Sequence, residues 1–235
     1  MQGKNPEWES ELWTYLSMGD GTHCPIYQSC RTRRKDVICF SEQIDYWETV
    51  NRFVDSDGSD FTYPTDVRFK LPNCPLNGKI FKLVRKLVNK YQLEAGIDYL
   101  PVPTNIITRA YDNLPIEIRQ VSLKAYHGAV WRLNDCWLVQ LNSNDAPARQ
   151  RFTLYHEIFH IMAHCRATPV FKKISCGPKG SFNELLADHF AIVMLIPEKW
   201  VKKKWTEVKD VNQMATIFDA PKSLVWFVLY HLHFI

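Results

Sequence analysis

The stretch Arg149-Gln150-Arg151-Phe152-Thr153-Leu154-Tyr155-His156-Glu157-Ile158-Phe159-His160-Ile161-Met162-Ala163-His164 decides how this chain is read. It holds neither glycine nor proline, and Leu154, Ile158, Ile161 and Met162 recur at the spacing of a buried helical stripe. On a helix, His156 and His160 stack one turn apart, so both imidazoles can hold one metal ion from the same side. Glu157 lies just off that stripe, where its carboxylate can reach a metal-bound water without ligating the metal. Two ligands, a general base and an open coordination position are the parts that metal-assisted hydrolysis needs. The competing reading is a core helix whose histidines are satisfied by neighbours, and a third ligand nearby separates the two.

That ligand is easy to find downstream. After a loop carrying Pro169, Gly177, Pro178 and Gly180, the chain re-enters helix at Ser181 or Asn183 and runs to Leu195, where Pro197 stops it. Glu184, in the first turn of an otherwise largely apolar helix, is the candidate third zinc ligand. Asp188, one turn later on the same face, is placed to accept a hydrogen bond from the outer nitrogen of a ligating histidine. Ala187 and Ala191 are small enough to let the two helices approach closely.

Upstream, Ile80, Leu83, Val84, Leu87, Val88 and Tyr91 mark an amphipathic helix over residues 79–94. Two short strands are expected at about 125–131 and 136–142, turned at Leu133-Asn134-Asp135. The second, Trp137-Leu138-Val139-Gln140-Leu141, is expected at the edge of the metal site. Asn142 to Pro147 forms the loop before the metal helix, with Pro147 in its first turn. Tyr126 and His127, on the first strand, are candidates for stabilising an oxyanion.

The first region, residues 1–75, opens with Trp8, Leu12, Trp13 and Leu16 at helical spacing. Cys24, Cys30, Cys39 and Cys74 follow, with His23 beside the first. Three or four of these could hold a second, structural metal, either zinc or an iron–sulfur cluster. No CxxC pair is present, and free or buried thiols fit the same residues. Arg31-Thr32-Arg33-Arg34-Lys35 reads as a solvated charged face, and Leu71-Pro72-Asn73-Cys74-Pro75 as a boundary. Residues 76–200 then form the core. Residues 201–235 form a helical segment of helix-turn-helix shape, with Val211, Met214, Ala215, Ile217 and Phe218 on one stripe and Leu224, Val225, Phe227, Val228 and Leu232 beyond a turn at Asp219-Ala220-Pro221. Its second helix offers Trp226, Phe227 and Tyr230 but almost no basic or amide side chain, so direct nucleic-acid binding is not expected.

Composition fits this picture. The 235 residues are 46% hydrophobic and 13% aromatic, which is a core-forming chain, and a net charge of +4 is too small to argue for nucleic acid. The N-terminus has no signal-peptide core, and no apolar run is long enough to span a bilayer. Seven cysteines, an odd number, argue against a disulfide framework. A soluble, cytoplasmic protein is the expectation.

Three segments together carry a family resemblance. Residues 149–160 resemble the RxRFTxAHExGH stretch of the ImmA/IrrE metallopeptidases. Asn183-Glu184-Leu185-Leu186-Ala187-Asp188-His189-Phe190-Ala191, running on to Leu195-Ile196-Pro197, resembles that family's ExxAN-x-FA…LLMP segment. Met214 to Pro221 looks like its helical tail. The resemblance covers about residues 80–235 and implies an α+β, zincin-like core, with Zn²⁺ on His156, His160 and Glu184 and Glu157 as the catalytic base. It also implies a role as an endopeptidase that cleaves a helix-turn-helix repressor, switching on a mobile element, prophage or stress response. Tyr155, Phe159 and Asp188 depart from the pattern, and the bulky Tyr155 and Phe159 are expected to narrow the cleft. The cysteine region has no counterpart in the family core. The alternative is a non-proteolytic regulatory protein that docks a repressor or nucleic acid, and Glu157→Gln separates the two readings.

Overall fold

A computed structural model describes residues 6–18, 79–110, 112–124, 126–163 and 182–235. Cys24, Cys30, Cys39 and Cys74, and with them the second metal, lie outside these residues. The described elements run α1 (Glu7–Met18), α2 (Lys79–Glu94), β1 (Ile116–Val121), β2 (Gly128–Arg132), β3 (Trp137–Asn142), α3 (Pro147–Ala163), α4 (Phe182–Leu195), α5 (Glu198–Val208), α6 (Val211–Phe218) and α7 (Lys222–His231). The fold is α+β, with a zincin-like core and a helical tail.

The sheet has the order β1-β3-β2, with β1 parallel and β2 antiparallel to the central β3. β3 reads as a near-continuous apolar run because it is buried along most of its length: Trp137, Leu138, Val139, Leu141 and Asn142 are all inside. The expected first strand begins later than the sequence suggests, at Gly128, because the residues before it form a loop held by Asn142. β1 was not anticipated at all. Glu117, Ile118, Arg119 and Gln120 are exposed, so the strand carries little apolar alternation and is specified by its ladder to β3.

Helix α3 is wedged between the sheet and α4. Its expected stripe of Leu154, Ile158, Ile161 and Met162 is buried, as are Ala187 and Ala191 of the facing α4. The opposite edge of α4 meets α2, whose Ile80, Leu83, Val84, Leu87 and Val88 are inside as the periodicity predicts. α1 lies on α2 through Leu12 and Leu16, with ion pairs from Lys79 to Glu11 and from Lys90 Nζ to Glu9 Oε2, the latter at 2.7 Å.

Two residues of α3 tie distant loops to it. Arg151 donates through Nη2 to the Val102 carbonyl at 2.7 Å and through Nε to the Asp219 carbonyl at 3.0 Å. The Tyr155 hydroxyl donates to the Pro103 carbonyl. The tail therefore closes onto the metal helix. Asp210 caps α6 by accepting from the Gln213 amide at 2.7 Å, and α7 buries Leu224, Val225, Phe227 and Val228. Among the described residues, no helix is long and apolar enough to cross a membrane.

Candidate metal centre

The packing of α3 on α4 brings His156, His160 and Glu184 together. The Nε2 atoms of the two histidines stand 3.1 Å apart. His156 Nε2 is 3.2 Å from Glu184 Oε2, and His160 Nε2 is 3.4 Å from Glu184 Oε1. These separations decide what the cluster can hold. A tetrahedral metal with ligand bonds of about 2.0–2.1 Å sets its donors about 3.3 Å apart; the histidine pair is close to that, each histidine meets a different oxygen of Glu184, and one ligand atom from each of the three residues lies within 4.8 Å of the others. Three lone-pair donors so near each other repel unless a proton or a cation sits between them. The donor set, two imidazoles and a carboxylate, is the set that zinc accepts while keeping a position open. The two histidine side chains are 17% and 15% exposed and Glu184 is 39% exposed, so the cluster opens to solvent on the glutamate side.

Asp188 takes the position the sequence suggests. Buried at 4% exposure, its Oδ1 lies 2.7 Å from His156 Nδ1. That contact directs Nδ1–H at the carboxylate and leaves Nε2 as the lone-pair donor facing the cluster. Burial alone would lower the pKa of His156, but Asp188 and Glu184 outweigh it and hold the imidazole well above its ordinary value. Burial pushes the Glu184 carboxyl up, and the adjacent His160 and His156 more than reverse this, holding it well below the usual range. Glu157 moves the other way. Burial raises its carboxyl, and the charges on His156 and His160 only partly offset that. A raised carboxyl pKa makes Glu157 a stronger base than an exposed glutamate.

Tyr155 and Phe159 do not narrow the cleft. Both are fully buried on the core side of α3, where Phe159 packs on Phe190 with centroids 5.3 Å apart and Tyr155 lies 6.5 Å from the same ring. His127 is held by Asp145, Nδ1 to Oδ2 at 2.8 Å, and Tyr126 is 44% exposed. One residue at the site escaped the sequence reading: Gly128, the first residue of β2, whose missing side chain leaves the strand lying against Thr153 and Glu157.

An HExxH helix packed on a second helix that brings in a glutamate, beside a small mixed sheet, defines a zincin-like metallopeptidase fold. Residues 112–224 match the family described as IrrE N-terminal-like domain (Peptidase_M78), to which this part of the chain is similar. The match runs from just before β1 into α7 and contains all three cluster residues. The family suggests a metallopeptidase-like role with zinc as the metal. No curated protein matches the chain.

Proposed function

We propose that this chain is a zinc-dependent endopeptidase, with His156, His160 and Glu184 as the metal ligands and Glu157 as the catalytic base. The observation that carries the reading is the convergence of His156, His160 and Glu184, whose nearest donor atoms lie pairwise 3.1–3.4 Å apart, with Asp188 fixing which nitrogen of His156 faces them. Zinc at this cluster supplies Lewis acidity, which acidifies water and polarises a scissile carbonyl. Glu157, adjacent in the chain to a ligand but outside the ligand set, would take a proton from the attacking water on its carboxylate and pass it to the leaving amine.

The substrate class we propose is a helix-turn-helix repressor, by analogy with the family resemblance of residues 149–160 and 183–197. Cleavage would lift repression of a mobile element, prophage or stress response, in the cytoplasm. The test is Glu157→Gln beside wild type, with zinc content and cleavage of a co-encoded helix-turn-helix protein measured on the same preparations. Retained zinc with cleavage lost supports the assignment. Cleavage surviving in Glu157→Gln removes Glu157 as the base. A wild type that holds zinc and cuts nothing favours a regulatory docking protein.

A further inference from the structure

Glu157 lacks any hydrogen bond or ion pair to its carboxylate among the described residues, although its neighbours His156 and Glu184 are both tied. Among the described residues, one surface that bounds where its three soft torsions can place the carboxylate lies on β2. A Cβ added at Gly128 would fall 2.4 Å from Thr153 Cγ2, 3.0 Å from Glu157 Oε1 and 3.3 Å from Glu157 Cγ. Thr153 and Glu157 are one turn apart on the same ridge of α3, and the strand backbone lies directly on that ridge. Gly128 has no positive φ, so glycine is needed here for space and not for backbone conformation.

The strand is also unable to retreat. Gly128 is paired with Leu141 in the ladder to β3. Just before it, the Asn142 amide donates to the His127 carbonyl at 2.9 Å, and Asn142 Nδ2 donates to the Tyr126 carbonyl at 3.1 Å. The His127 ring is anchored on Asp145. Any side chain at 128 must therefore be accommodated by α3. Thr153 is buried at 4% exposure, and β-branching restricts its χ1 in a helix. The flexible Glu157 is the group that would move.

We infer that Gly128 is a positioning residue for Glu157: the bare backbone of β2 is the wall that sets the carboxylate of the base. The inference deepens the peptidase reading, and rests on it for the role of Glu157. Its geometric content can be tested separately.

The experiment is a thermal-unfolding cycle on zinc-loaded protein. Gly128→Ala is introduced into wild type, into Thr153→Ser, and into Thr153→Ser/Glu157→Ala. Serine removes the methyl that the new Cβ would strike first, so the second background keeps the variant folded. We expect Gly128→Ala to lower Tm in Thr153→Ser, and the loss to shrink by about 2–4 °C when Glu157 is also truncated. Zinc content should stay at one equivalent throughout, because no ligand is touched. With a cleavable substrate, Gly128→Ala/Thr153→Ser should lose at least tenfold in kcat relative to Thr153→Ser, with KM nearly unchanged. Equal Tm losses in the last two backgrounds, or undiminished kcat in the double variant, overturn the inference. If wild type cleaves nothing, the peptidase reading fails while the Tm cycle still decides whether Gly128 presses on Glu157.

Discussion

His189 gives the fold a built-in sensitivity to acid. It is 3% exposed on α4, with its ring set edge-on to Phe81 of α2 at 5.1 Å between centroids. Neither ring nitrogen makes a well-formed hydrogen bond among the described residues. Burial, helped by the charges on Arg85 and His231, lowers its pKa from 6.5 to about 3, with the Phe81 backbone pulling weakly the other way. In the unfolded chain the same imidazole titrates near 6.5. Between these values the unfolded state binds a proton that the folded state refuses, so stability falls as the pH drops through 6.5 and stops falling near 3. The slope is about 1.4 kcal/mol per pH unit, so acidification from pH 7.5 to 5 costs about 2 kcal/mol from this residue alone. His189→Leu removes the titration and a buried ring with poorly satisfied nitrogens while keeping a similar volume. It should be neutral or stabilising at pH 7.5. Urea unfolding of both proteins at pH 7.5 and pH 5 should show the variant gaining about 2 kcal/mol relative to wild type on acidification. Other groups, including His231 and the metal cluster, titrate in both proteins and cancel in the difference. Parallel pH dependences would refute the reasoning, because they would mean that water or a partner reaches the ring.

Other consequences are measurable at the metal centre and at its supports. Asp188→Ala should weaken zinc binding by about 10–100-fold, with Asp188→Asn in between because an amide oxygen can still accept from His156 Nδ1–H; chelator competition reads both. Zinc binding at pH 7 should release about one proton, since Asp188 and Glu184 keep His156 protonated in the metal-free cluster. Calorimetry in buffers of different ionisation enthalpy checks this, and a heat independent of buffer would contradict it. Arg151→Ala should cost roughly 3 kcal/mol, mostly through the bonds to Val102 and Asp219 carbonyls, since the ion pair to the half-exposed Asp219 carboxylate is worth little. That corresponds to a Tm lower by about 6–12 °C, with zinc content unchanged.

The metal centre was legible because each half of it is a local pattern. His156, Glu157 and His160 are fixed relative to one another by helical geometry alone, and so are Glu184 and Asp188. Only the docking of α3 on α4 had to be supplied, and the small Ala187 and Ala191 opposite an apolar stripe anticipated it. The bulk of Tyr155 and Phe159 suggests a narrowed cleft, whereas their burial against Phe190 is a tertiary contact that no local pattern gives. β1 escaped because its exposed Glu117–Gln120 segment offers no alternation to read; its strand identity comes from β3, whose paired residues lie 21 positions further along the chain. Gly128 is the most instructive omission. A glycine opening a strand does signal close backbone approach, yet what approaches is decided by α3, whose distance from β2 no local pattern encodes. Residues that a helix spaces, such as His156 and His160, are therefore readable from sequence, whereas the surface against which Glu157 lies depends on tertiary contact. Substitutions near the site should divide accordingly: those at His156, His160 or Glu184 lower metal content, and those at Gly128 leave it intact while moving the carboxylate of Glu157.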